Sequence, residues 1–115
     1  MKATIAEIES TLRSGSGVRR YSADTYYGGG EWILLTAWLG WYYTEVGEWE
    51  KAAQILNWVE TQAGPGGNLP EQVKSIQADE GYYRHWNERW GEIANPLLWS
   101  HAKYIILSNA LAKAP

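Results

Sequence analysis

The stretch from Glu31 to about Val46 constrains this chain most, because it is apolar on almost every side of the helix it would form. It reads Glu31-Trp32-Ile33-Leu34-Leu35-Thr36-Ala37-Trp38-Leu39-Gly40-Trp41-Tyr42-Tyr43, and a helix with no polar face has to be covered on all faces. A second apolar helix is expected from about Asn95 to Ala112, through Leu97-Leu98-Trp99 and Tyr104-Ile105-Ile106-Leu107, with Pro96 in its first turn. Each is paired with an amphipathic helix. One runs from Lys2 to about Ser14, with Ile5, Ile8 and Leu12 at helical spacing. The other runs from about Glu48 to Ala63 and sets Ala52, Ile55, Leu56 and Val59 against Glu50, Lys51, Gln54 and Glu60.

This is a repeat of about 64 residues: outer helix, long loop, inner helix, short turn. The pattern predicts an all-α fold of two α-helical hairpins, part of a helical toroid or solenoid. Short turns on one side put both long loops on the other, at the N-terminal ends of the inner helices. That face is the expected site. The first loop runs to Gly28-Gly29-Gly30, where three glycines exclude regular structure and allow close backbone packing. The second is expected to stay irregular to about Ala94, too long for an idle connection. Within it Gly67-Asn68-Leu69-Pro70-Glu71-Gln72 places a carboxylate and an amide on a turn-rich segment, suited to sugar binding or acid–base work.

Composition sharpens this. The 115 residues suffice for one small domain, and 8 Trp and 8 Tyr stand against no Phe. Every aromatic ring therefore carries a polar handle, as suits stacking on sugar rings and lining wet clefts. A net charge of -3 without a basic run argues against nucleic acid. The absence of cysteine excludes disulfides and thiolate chemistry, and His85 and His101 lack metal-ligand spacing, so both are expected in surface or helix-packing roles. No apolar run reaches membrane-spanning length and no signal peptide is visible, so a cytoplasmic location with no membrane partner is expected. Neither a metal nor a cofactor is expected.

Three motifs occur in order: Arg20-Tyr21-Ser22-Ala23-Asp24-Thr25-Tyr26-Tyr27-Gly28-Gly29-Gly30-Glu31-Trp32, then Leu69-Pro70-Glu71-Gln72, then Pro96-Leu97-Leu98-Trp99-Ser100-His101-Ala102. Together they resemble the C-terminal part of the catalytic domain of glycoside hydrolase family 15, the glucoamylases with their glucodextranase and trehalase relatives. The resemblance implies part of an (α/α)6 barrel, with the site at the mouth of the inner ring. It implies inverting release of glucose from non-reducing ends, so the partner would be an α-glucan or a small α-glucoside. Glu71 matches the general base that activates water, Arg20 an arginine that binds sugar hydroxyls, and Trp99 a tryptophan lining the glucose subsite. Gln72, Tyr26 and Trp86 join them as candidate substrate-binding residues. Many members have Asn-Pro where this chain has Gly30-Glu31, so Glu31 is read as a helix-start residue.

The family's general acid belongs to an upstream segment that this chain does not contain. An alternative is thus a glycan-binding or structural module without catalysis. Either way the apolar helices should expose faces that require self-association or a missing N-terminal segment of the same domain.

Overall fold

A computed structural model describes residues 1–75 and 78–115; Ile76 and Gln77, within the second long loop, lie outside the described residues. The chain is mostly helical. Helix α1 spans Lys2–Thr11, α2 Ile33–Glu45, α3 Trp49–Thr61, α4 Glu80–Trp90 and α5 Leu98–Leu111. Helices α2, α3 and α5 pack on one another around Ile33, Ala37, Ile55, Val59 and Leu107, all at most 2% exposed. Ala52, Ile55 and Val59 bury the apolar stripe of α3 as its period requires. Between α2 and α3, Gly47 adopts φ +78, the left-handed conformation that lets a helix end in one residue. Gly40 lets α2 approach its neighbours closely, since a Cβ there would sit 2.9 Å from side-chain atoms of both Ile55 and Leu107. This paired-helix arrangement is compatible with part of a helical toroid.

Three features differ from the sequence-based expectation. First, short strands join the helices: β1 Arg13–Ser14, β2 Gly17–Arg19, β3 Glu31–Trp32 and β4 Gln72–Val73, in one antiparallel sheet ordered β1-β2-β3-β4. Glu31 is therefore a strand residue facing Arg19 and Val73, and not the start of a helix. The buried sheet satisfies backbone groups that a helical turn at this place would leave unpaired.

Second, the long second loop contains α4. Asp79 caps it, its carboxylate accepting the Tyr82 N–H at 3.1 Å. None of its residues is buried, which is why apolar periodicity did not reveal it. Third, Pro96 lies outside α5, which begins two residues later at Leu98, and the Asn95–Pro96 peptide bond is cis. The two apolar helices leave apolar faces open, as the sequence led us to expect. Trp38 of α2 and Leu98, Trp99 and Ile105 of α5 are largely exposed, and an apolar groove of about 590 Å³ lies between α1 and α2, lined by Ile5, Ile8, Leu12, Trp38 and Trp41 among others.

Candidate functional site

The two long loops meet where β3 pairs with β4. Val73 faces Glu31 and Gln72 faces Trp32, so Glu71 emerges at the edge of the sheet beside the first loop. The approach depends on Gly30: a Cβ there would lie 2.5 Å from the Val73 carbonyl oxygen and 2.6 Å from Gln72 Oε1. No side chain fits, and the glycine run in the first loop has here its physical reason.

Glu71 is half-buried and its backbone is fully engaged. Its N–H donates to the Ala94 carbonyl at 2.9 Å, and its own carbonyl accepts the Ile33 N–H at 3.1 Å, capping the first turn of α2. Just upstream, the Leu69 carbonyl accepts the Leu97 N–H at 2.9 Å. The Pro70 carbonyl accepts the Ser100 hydroxyl at 2.8 Å. The loop is strapped to the N-terminal ends of both inner helices, so a carboxylate placed on it is held as firmly as one on a helix.

Arg20 and Tyr26 come to Glu71 from the first loop. The Asp24 carboxylate, with a side chain fully removed from solvent, accepts from Arg20 Nε at 2.9 Å and from Nη2 at 2.8 Å, a bidentate clamp. It also accepts the Tyr26 N–H at 3.0 Å, an Asx-type turn that fixes the 3-10 turn Tyr26–Gly28. The Arg20 guanidinium lies 5.0 Å from the centres of both the Tyr26 and the Trp32 rings. The Asp24 hydrogen bond holds its pKa above the ordinary value against the opposing effect of burial, and the charge of Glu71 acts in the same direction. Burial first, and then the charge of Glu71 and a hydrogen bond with it, push the Tyr26 phenol up as well. These effects locate the carboxylate, the guanidinium and the phenol in one small region.

Helix α4 supplies a wall. Trp86 packs edge-on against Tyr26 at 4.9 Å and tilts over Tyr27 at 6.0 Å. Two contacts hold α4 there: the Asp79 N–H donates to the Gly28 carbonyl at 3.1 Å, and the Tyr27 hydroxyl donates to the Gly91 carbonyl at 2.7 Å. Tyr27 is buried with φ 49, a conformation unusual outside glycine, so the surrounding contacts must over-determine it.

The structure thus brings Arg20, Tyr26, Glu71 and Trp86 together. It places Gln72 beneath them: at 2% exposed, its Oε1 accepts the Gly30 N–H at 3.1 Å and its Nε2 reaches Glu71 Oε1 at 3.4 Å. Both ends of that amide serve the protein, which makes Gln72 a support for Glu71 rather than a residue facing a ligand. Trp99 sits on the first turn of α5, half-exposed. Glu80, Glu88 and Glu92 are exposed. Two contributors went unread as site residues: Trp32, stacked on Tyr26 at 6.1 Å, and His101, whose Nε2 accepts the Leu69 N–H at 3.0 Å. The Arg20-to-Asp24 spacing was the one signal available for the clamp. Among the described residues no group of three or more His, Asp or Glu side chains could hold a metal ion.

The chain is similar in sequence and fold to several glycosidases. Isomaltose glucohydrolase of Kribbella flavida is 44% identical over 112 residues, 97% of this chain and 29% of that protein. An uncharacterized glycosyl hydrolase of Methanocaldococcus jannaschii is 29% identical over 103 residues, 78% of this chain and 15% of its own. A solved wild-type glycosidase superposes with a TM-score of 0.92 at 43% identity, covering 99% of this chain and 31% of that one. A glycosidase solved in complex with glucose gives the same TM-score at 42% identity. No protein-family model matches the sequence. The chain is similar to one segment of these proteins and spans about 30% of the length of the first relatives it matches.

Proposed function

We propose that residues 1–115 form the C-terminal hairpins of an (α/α)6 glucoamylase-like catalytic domain of glycoside hydrolase family 15. In this reading they supply the base side of an inverting, exo-acting α-glucoside hydrolase. Glu71 is the general base. It takes a proton from a water that attacks the anomeric carbon, while an acid from a complementary segment protonates the leaving oxygen. Inversion needs those two carboxyl groups roughly 6.5–9.5 Å apart, with the water between. Arg20 donates to sugar hydroxyls with a guanidinium that Asp24 pre-orients, so little rotamer freedom is lost on binding. Tyr26 and Trp86 offer ring faces and edges to the sugar, and Trp99 lines the glucose subsite from α5.

The observation that carries this reading is the convergence of Glu71, Arg20 and Tyr26 on a backbone bonded at every step, in a chain 44% identical to an isomaltose glucohydrolase. Small α-glucosides such as isomaltose are accordingly the substrate class. The uncovered apolar sides of α2 and α5 are met by the rest of such a domain or by a second copy of the chain.

The test is a chimera in which this chain replaces the matching segment of the Kribbella flavida enzyme. It should release glucose from isomaltose, and Glu71→Gln should lower turnover by about 10²–10⁴-fold, the range for loss of a general base. A folded chimera whose activity is indifferent to Glu71→Gln would overturn the proposal.

A further inference from the structure

The backbone of Leu69-Pro70-Glu71 can be accounted for atom by atom. Its carbonyls are met by N–H and hydroxyl donors: Leu97 for Leu69, Ser100 for Pro70 and Ile33 for Glu71. The Glu71 N–H has the Ala94 carbonyl, and Pro70 has no N–H. One donor remains, the Leu69 N–H. It points at the first turn of α5, where the backbone offers only N–H groups and no free carbonyl. A helix start can satisfy the loop's acceptors but never its donors. Only a side-chain acceptor can meet this group, and His101 Nε2 does so at 3.0 Å. Leu69 itself is 3% exposed and belongs to the core, so leaving its N–H unbonded would cost a buried hydrogen bond two residues from Glu71.

We propose that His101 is a positioning residue for Glu71, acting through the Leu69 N–H. An imidazole that accepts at Nε2 carries its proton on Nδ1, so the role requires the neutral Nδ1–H tautomer. His101 does not touch substrate. It fixes the strap on which the carboxylate rides, and the inference rests on the reading of Glu71 as the base.

The experiment uses the 115-residue chain in solution near neutral pH, with no substrate, so it stands or falls apart from hydrolysis. Nitrogen-15 spectra of the imidazole report the tautomer, amide exchange reports the Leu69 hydrogen bond, and the carboxyl carbon-13 resonance of Glu71 reports its surroundings. The expectation is an unprotonated Nε2 in the natural chain. His101→Leu, which has no acceptor, should speed Leu69 exchange by about 5- to 10-fold and move the Glu71 resonance. His101→Gln, whose Oε1 can reach the same N–H, should bring both back towards the natural values. A proton on Nε2, or Leu69 exchange and a Glu71 resonance that do not change in His101→Leu, would overturn the assignment. Should His101→Leu fail to fold, the tautomer and His101→Gln decide: faster exchange in the glutamine variant than in the natural chain by the same factor would refute it. An inactive chimera alongside these expected spectra would instead sink the base role and leave the positioning contact intact.

Discussion

Replacing Gln72 by leucine tests whether one buried amide joins the two loops of the site. The side chains are similar in volume and the position is 2% exposed, so leucine creates no large cavity. What it removes is specific. The Gly30 N–H loses its acceptor at 3.1 Å in a place where Gly30 is buried and the Val73 backbone is too close to admit water. A buried donor left unbonded costs about 1–3 kcal/mol. The longer contact from Nε2 to Glu71, at 3.4 Å, adds little to that. Allowing for the better transfer of leucine out of water, the net loss should be about 1–2 kcal/mol. At about 4 °C per kcal/mol for a chain of this size, the melting temperature followed by far-UV circular dichroism should fall by about 4–8 °C.

Gln72→Glu separates the two ends of the amide. It keeps the acceptor for Gly30 but sets a second carboxyl against Glu71, where two full charges at 4 Å would repel by about 4 kcal/mol at an effective dielectric of 20. One of the pair will keep its proton instead. The glutamate variant should therefore melt near the natural chain at acid pH and well below it at pH 7.5. A leucine variant that melts within about 2 °C of the natural chain would refute the bridging role.

Asp24→Asn removes the bidentate partner of Arg20 and should cost about 2 kcal/mol in urea unfolding, with glucose release by the chimera falling by about tenfold or more. Gly30→Ala drives a Cβ into the Val73 carbonyl and should cost at least about 2 kcal/mol or abolish folding, seen as loss of the cooperative melt. Burial raises the Glu31 carboxyl above its ordinary value, partly offset by Ser14 and Arg13. The raised pKa means that the folded state favours the protonated form. Its contribution to stability is therefore present below the ordinary glutamate value of about 4.3 and is lost as pH rises through the folded value. Glu31→Gln should thus raise the melting temperature more at pH 7 than at pH 4, and an equal effect at both would contradict the burial argument. The chain alone should self-associate through Trp38, Leu98, Trp99 and Ile105; light scattering showing a monomer at every concentration would count against that.

The helices of the two hairpins were legible because burying one face writes a 3.6-residue period into the sequence, as Ala52, Ile55 and Val59 do in α3. The sheet was not. Its strands are two or three residues long, too short for an alternating pattern, and they exist only because loops far apart in sequence meet. Helix α4 buries no residue and so lacks the period, although Asp79 before it and Gly91 after it were readable as caps. In the site, residue types pointed to Glu71 and Arg20. The partners that hold them could not be read the same way, because Gln72, Ser100 and His101 act through backbone atoms up to 42 positions away in the chain. A hydrogen bond to a backbone group leaves no pattern in sequence. The open flanks of α2 and α5 were legible, because helices apolar all round need more cover than two hairpins provide.

The most direct measurement is the anomer of the first glucose released from isomaltose by the chimera, followed by proton NMR before mutarotation. Attack of a Glu71-activated water on the face opposite the leaving group predicts β-glucose from the non-reducing unit, in excess of the α/β mixture that the reducing unit brings, with the signal lost in Glu71→Gln. An initial excess of α-glucose over that mixture, or β-glucose formed at an undiminished rate in Glu71→Gln, would contradict the account.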